Sequence, residues 1–364
     1  MNLLNSGPYS YENPADYYTT IDRGFAVEIG TPSLPTLEWF SRWIPKVDRW
    51  PITDDWAYHN WHPHDAFNQH LQTQFGIADS LEDYERKAQM MNYVDYRAIF
   101  EGFNAHLWAP NGGRLLWMTQ PAWPSTLWGI LSSDYDTQAS YYGTKKACEP
   151  VHVQLDLSNN DVAIVNTTRD QLHGLKVTAD VYGLDSKLLL HRETVLDAAA
   201  DDVTHALNLD IAPLMSDGKL VFVRLTLHAA DGQELSRNFY WRAASDAGFR
   251  ALNQLAPARL SITAHLQHNV ANRIPGEKRI EVNLKNTGDA VALNSKLGVF
   301  EADGPEVLPA FFSDNYISLL PGEEQSITID IPATADARNL TLHLRGWNVV
   351  ATSVNISEKL TKPR

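Results

Sequence analysis

The feature that most constrains this chain is an abrupt change of pattern near residue 150. Nine of its eleven tryptophans precede that point, at positions 39, 43, 50, 56, 61, 108, 117, 123 and 128. Beyond it the sequence breaks into short, alternating, β-branched segments separated by turn signals such as Ser158-Asn-Asn160, Asp217-Gly218 and Asp231-Gly232. Alternation with a period of two builds half-buried strands. One fold does not follow from both patterns, and 364 residues leave room for two or three domains.

The later part predicts seven strands: His152–Leu157, Asp161–Asn166, Leu175–Tyr182, Leu188–Val195, Thr204–Leu209, Leu220–His228 and Glu234–Trp241. Seven short strands at this spacing are the pattern of an immunoglobulin-like β-sandwich, here spanning 151–243. A helix-tending linker over 244–256 ends at Pro257. Residues 257–356 repeat the pattern, with strands expected at 259–267, 278–286, 295–300, 316–319, 324–331 and 340–348. Turns are expected at Pro275-Gly, Asn286-Thr-Gly288 and Pro321-Gly322. The tail from Glu358 to Arg364 is expected to fray.

The earlier part centres on Phe25-Ala-Val-Glu-Ile-Gly-Thr-Pro-Ser-Leu-Pro35. Gly24 to Val27 is a short apolar run that reads as a buried strand, with Glu28 at its end. Thr36 opens a helix over 36–44. A carboxylate at the carboxyl end of a buried strand is where an α/β barrel keeps its catalytic groups. A strand-end glutamate that caps the next helix or pairs with an arginine fits the same local pattern. Residues 48–66 form a long aromatic loop, and 67–76 a short helix. Ser80-Leu-Glu-Asp83 is a capping-box pattern that opens a long helix to about Trp108. Arg114-Leu-Leu-Trp-Met-Thr119 reads as a second buried strand. Two strands cannot close a barrel, so residues 1–146 look like the tail end of a larger domain.

Charge narrows the partners. A net charge of −14 and a pI near 5.3 argue against nucleic acid and against an anionic membrane. The single cysteine, Cys148, allows no internal disulfide and no cysteine-based metal site. The first ten residues carry no basic region and no apolar run of signal-peptide length, and no window approaches the ~20 apolar residues of a membrane span. Compartment stays open. His59, His62, His64 and His70 cluster within twelve residues, but their spacing gives no helical i, i+4 pair, so no metal or cofactor is expected.

Several motifs stand together: Gly7-Pro-Tyr-Ser-Tyr11, Ala26-Val-Glu-Ile-Gly-Thr-Pro-Ser-Leu-Pro35, Trp56-Ala-Tyr-His59, Leu116-Trp-Met-Thr-Gln-Pro-Ala-Trp-Pro124 and Tyr142-Gly-Thr-Lys-Lys-Ala-Cys-Glu-Pro-Val-His152. Phe311-Phe-Ser-Asp-Asn-Tyr-Ile-Ser-Leu-Leu-Pro-Gly322 and Gly346-Trp-Asn348 follow near the end. Together they resemble the carboxyl-terminal half of glycoside hydrolase family 2, nearest its exo-β-glucosaminidase and β-mannosidase subgroup, and the last two resemble the terminal domain of the glucosaminidases. The resemblance implies the last strands, about seven and eight, of a (β/α)8 TIM barrel over 1–146, followed by two immunoglobulin-like β-sandwiches. It makes Glu28 the nucleophile of a retaining exo-β-glycosidase acting on β-linked mannose or glucosamine. The acid/base carboxylate belongs after barrel strand four, and this sequence opens near the end of strand six. The implied partners are an oligosaccharide and either a separate amino-terminal polypeptide or a second copy of the chain. The other reading is a non-catalytic truncated or split product whose sandwiches serve binding or assembly. Tyr9, Tyr58, His59, Trp61, Trp117, Gln120 and Trp123 are the expected sugar contacts: aromatic faces suit the apolar C–H faces of sugars, and the polar groups suit their rims. Gln120-Pro121 replaces the Asn-Asn or Asn-Asp of relatives, so the sugar is left unassigned. Arg97 and Glu101, i, i+4 on the long helix, are expected to be a structural pair.

Overall fold

The computed structural model describes residues 3–7, 9–21, 24–62, 65–109, 111–267, 278–302, 304–335 and 339–358. Pro8, His64, the Pro275-Gly turn and the tail beyond residue 358 lie outside the described residues.

The first segment carries a parallel three-stranded sheet, in the order β1 (Leu3–Ser6), β2 (Phe25–Ile29), β3 (Gly113–Leu116). β1 is a strand where an irregular loop was expected. Four residues are too few to show periodicity, and the strand exists through its pairing with β2. β3 stops at Leu116 rather than Thr119. There the backbone leaves the sheet: Trp117 N–H donates to Ile29 O and Met118 N–H to Trp128 O. Between β2 and β3 lie α1 (Leu37–Trp43), α2 (Asp54–Tyr58), α3 (Asp65–Phe75) and α4 (Leu81–Asn104). The Thr36 and Ser80 hydroxyls cap α1 and α4 by accepting from Trp39 and Asp83 N–H. α2 interrupts what reads as a continuous loop, its first turn stabilised by Asp54 and Asp55. α4 ends four residues before Trp108. α5 (Ala139–Ala147), absent from the sequence reading, lies along α4. Gly143 permits that approach, since a Cβ there would meet Tyr93 O at 2.3 Å.

Two β-sandwiches follow. In the first, β4 (Val151–Leu155), β5 (Asp161–Asn166) and β8 (Asp202–Asn208) face the sheet β10-β9-β6-β7, built from β6 (Leu172–Gly183), β7 (Leu188–Ala198), β9 (Leu220–His228) and β10 (Glu234–Ala243). The linker contains a 3-10 helix over Asp246–Gln254. In the second, β11 (Leu260–Gln267), β12 (Lys278–Asn286), β14 (Phe311–Phe312), β16 (Glu324–Ile331) and β19 (Ser357–Glu358) make one sheet. β13 (Ala292–Glu301), β15 (Ile317–Leu319), β17 (Leu340–Arg345) and β18 (Thr352–Asn355) make the other. β14, β18 and β19 are additional to the strands expected from sequence. Each is two to four residues long and is defined by its neighbour.

The apolar core crosses the segment boundaries. One cluster runs from Trp39, Phe40 and Trp56 into Leu297, Val299 and Leu342 of the second sandwich. Another joins Tyr17, Tyr18, Tyr96 and Ile99 to Val177, Val223 and Leu225 of the first. Polar contacts reinforce both seams. Arg345 donates to both oxygens of Glu85 at 2.9 Å and to Glu38 at 3.1 Å, and Lys296 reaches Glu38 at 2.7 Å. Arg97 and Glu101 belong to a buried seam network, as a structural pair should. Glu101 accepts from His152 Nε2 (2.9 Å), Asn238 Nδ2 (2.8 Å), Tyr240 OH (2.8 Å) and Tyr18 OH (2.9 Å), while Arg97 donates to Asn238 Oδ1 and Phe239 O. No helix among the described residues is long and apolar enough to cross a membrane.

Candidate active site

Glu28 is half-buried near the end of β2, in register with Ser6 of β1. The pairing of β2 with β3 is irregular between Ala26 and Ile29. Such irregularities re-aim side chains at sheet ends. The Tyr9 hydroxyl donates to Glu28 Oε2, and Gly7 N–H donates to Glu28 O at 3.0 Å. Loss of water contact, then the hydrogen bond to Glu28 and its negative charge, push the Tyr9 phenol up to about 12. Tyr9 therefore keeps its proton at neutral pH and donates it to the carboxylate.

Trp128 fixes Tyr9. Its indole Nε1–H donates to Tyr9 O at 2.9 Å, and the two rings lie 4.8 Å apart. The sequence reading passed over Trp128. The only local signal was its place in the tryptophan-rich part, since its role depends on a turn in which Leu127 and Trp128 both have positive φ. Gly30 lets this turn and the β3 end come together: a Cβ there would sit 2.3 Å from Trp117 O and 3.2 Å from Trp128 Cβ.

The other sequence candidates divide. Trp117 follows β3 directly and keeps 44% of its surface exposed. Trp123 (40% exposed) and Tyr58 (73% exposed) form an aromatic cluster with His59: Trp123 stacks on His59 at 5.9 Å and meets Tyr58 edge-on at 5.7 Å. His59 Nδ1 contacts Pro124 O at 2.6 Å, and Thr126 N–H donates to His59 O at 2.8 Å, stitching the two aromatic loops together. Gln120 is held by its own amide, which donates to Ser132 O and Ser133 O. Trp61 corrects the reading. It is 1% exposed and packs edge-on against Phe67, so it is a core residue and offers no ring face. Its burial comes from α2 and α3 closing around a stretch that looked like open loop. Among the histidines of this region, His70 Nδ1 pairs with Asp246 at 3.0 Å. No group of three or more His, Cys, Asp or Glu among the described residues is arranged to hold a metal ion.

A strand-end carboxylate with a tyrosine donor and exposed aromatic faces is equipped to act on a sugar. Comparison with known proteins agrees with that class. The model of the exo-β-D-glucosaminidase Ig-fold domain matches residues 238–349, and that of the mannosidase Ig/CBM-like domain matches 158–244. The chain is a homologue of the carboxyl-terminal half of family 2 glycoside hydrolases. Within that family its likeness is to the exo-β-glucosaminidase and β-mannosidase group. It is 29% identical to an exo-β-D-glucosaminidase of Hypocrea virens, over 96% of this chain and 43% of that protein. It is 27% identical to a mannosylglycoprotein endo-β-mannosidase of Lilium longiflorum, over 95% and 44%. The crystal structure of the Amycolatopsis orientalis exo-chitosanase superimposes with a TM-score of 0.87 at 26% identity, covering 96% of this chain and 45% of that one. The chain thus spans less than half the length of these relatives, and its two sandwiches are immunoglobulin-like.

Proposed function

We propose that this chain is the nucleophile-bearing part of a retaining exo-β-glycosidase that removes β-linked glucosamine or mannose from oligosaccharides. In this reading residues 1–146 are the last strands of a (β/α)8 barrel, and 151–243 and 257–356 are its accessory sandwiches. Three consecutive parallel strands, the second and third joined through α1 to α4, support the barrel assignment. The observation that carries the proposal is the Glu28 carboxylate at a strand end with the Tyr9 hydroxyl bonded to it. Glu28 attacks the anomeric carbon and forms a glycosyl-enzyme. A second carboxylate, about 5–5.5 Å away, protonates the leaving oxygen and then activates water. That second group is assigned to the part of the relatives' length that the described residues do not cover. Tyr9 orients Glu28, and Trp117, Trp123 and Tyr58 offer faces to the sugar. Gln120 acts through the loop at Ser132 and Ser133.

A second reading rests on the share of the relatives that the chain covers. On that reading the chain by itself has no hydrolytic activity, and its immunoglobulin-like modules serve assembly or binding. Chromogenic β-glucosaminide and β-mannoside separate the two when offered to the chain alone and to the chain joined with a polypeptide matching the preceding half of its relatives. Turnover confined to the joined protein, with an activated fluorosugar labelling Glu28, is the expected result. Labelling of some other carboxylate, with Glu28 never modified, overturns the nucleophile assignment.

A further inference from the structure

A cavity of about 200 Å³ lies at the seam between the first segment and the first sandwich. Its walls come from the end of α3, the middle of α4, the end of β10 and the start of the linker, with Phe75, Met90, Val94, Trp241 and Phe249 giving it an apolar surface. Asp95 of α4 lines it. This aspartate is 2% exposed, and its Oδ2 has no hydrogen-bond partner among the described residues. Burying a carboxylate without a partner disfavours its charged form, so buried charges are normally paired. Burial and the nearby charge of Asp246 hold the Asp95 carboxyl well above the usual carboxylate range.

The groups that could pair with Asp95 have other work. Arg97 Nη1 donates to Asn238 Oδ1 and Phe239 O, and its guanidinium lies 3.9 Å from the centre of the Tyr240 ring. Arg242 donates to Leu157 O and Asn160 Oδ1. The second acid on the wall, Asp246, is more exposed and stands nearer solvent, with His70 Nδ1 at 3.0 Å. Close by, the Tyr11 hydroxyl accepts from Gln74, and the buried Tyr17 hydroxyl has no partner among the described residues. The wall therefore holds a buried carboxyl oxygen without a partner and a second, more exposed acid, beside an apolar surface and two arginines that hydrogen-bond elsewhere.

We propose that this cavity binds a small organic ammonium ion carrying a compact apolar body, with Asp95 as its counter-ion. The ammonium group enters against Asp95 and Asp246, and the apolar body packs on Trp241 and Phe249. The ammonium charge favours the carboxylate form of Asp95, and a proton displaced on binding goes to solvent. The site is separate from Glu28 and stands whether or not the glycosidase reading holds.

Calorimetric titration of the whole chain with cyclohexylammonium chloride tests it, run near pH 7 in two buffers of different ionisation heat. Saturable binding at one site is expected, with up to one proton released per ligand. Neutral cyclohexanol, of similar shape, should bind at least about tenfold more weakly. Asp95→Asn, close to isosteric, should abolish the proton release and weaken binding by at least about tenfold. Asp246→Asn, at a more exposed position that the core does not need, should weaken it by a smaller factor. Equal affinity for cyclohexanol, absence of saturable heat, or binding that survives both substitutions unchanged would each overturn the proposal.

Discussion

The two sandwiches and the first segment achieve order in different ways. Each sandwich closes an apolar interior between its own sheets, with Val177, Val223 and Leu225 in the first and Ile280, Leu297 and Ile329 in the second all fully or nearly fully buried. The first segment has three parallel strands, and Val27 and Leu115 on them keep 38% and 54% of their surface exposed. Much of its order is borrowed: Glu101, Arg97, Glu38, Glu85 and Arg86 bind groups of the sandwiches. A closed core tolerates little change in volume, whereas a borrowed one depends on the apolar and polar contacts at the seam.

The largest expected effect separates the two. Glu101→Ala leaves His152, Asn238, Tyr240 and Tyr18 without their common acceptor, at a cost of about 3–5 kcal/mol. Hydrogen exchange should show the lost protection mainly in residues 3–147. Uniform loss across the sandwiches would break the comparison. Next, Leu225→Ala opens a cavity within the first sandwich and costs about 2–5 kcal/mol. Here denaturant unfolding should reveal the loss, with exchange rising first around Leu225.

At the site, Tyr9→Phe removes the donor to Glu28, worth about 1.5–3 kcal/mol for a hydrogen bond to a charged group. In the joined enzyme kcat should fall roughly tenfold to a hundredfold. Wild-type turnover in this variant would mean that Tyr9 merely fills space.

The seam also responds to pH. Burial opposes the charged form of His152, but its hydrogen bonds to Glu101 and Glu149 win and raise its pKa above the ordinary imidazole value. A raised histidine contributes stability that is fully present below the unfolded pKa, near 6.5, and that fades as pH climbs through the folded value. The segment-to-sandwich seam should therefore loosen on the alkaline side of neutrality, by about 1.4 kcal/mol for every tenfold by which folding tightens the hold of the imidazole on its proton. A His152→Gln variant should flatten that slope. The smallest effect is local: Ser80→Ala removes the cap of α4 at a cost of about 1 kcal/mol, read as a small fall in Tm.

Legibility in the sequence followed the same divide. Strands such as Lys278–Asn286 and Glu324–Ile331 stand where alternation puts them, because a residue's face on a pleated strand is set by its own position. The caps Thr36 and Ser80 were equally readable, since capping is a contact over three residues. β1, α5 and the short strands β14 and β19 were not, for their partners are distant in the chain, and β18, which pairs with the neighbouring β17, is too short to show a period. At the site, Glu28 could be singled out by its place at the end of an apolar run. Trp61 could not be told from an exposed aromatic, and Trp128 could not be linked to Tyr9, more than a hundred residues earlier.

The sequence alone determined a strand-end carboxylate, the change from an aromatic to an alternating pattern, and the local turns and caps. These depend on neighbours within a few residues. Only the tertiary structure decided that Tyr9 donates to Glu28, that Trp128 holds Tyr9, that Trp61 is core, and that Asp95 lines a cavity with its Oδ2 unpartnered among the described residues. Burial and hydrogen bonding between distant residues are properties of the packed chain, and no local pattern encodes them.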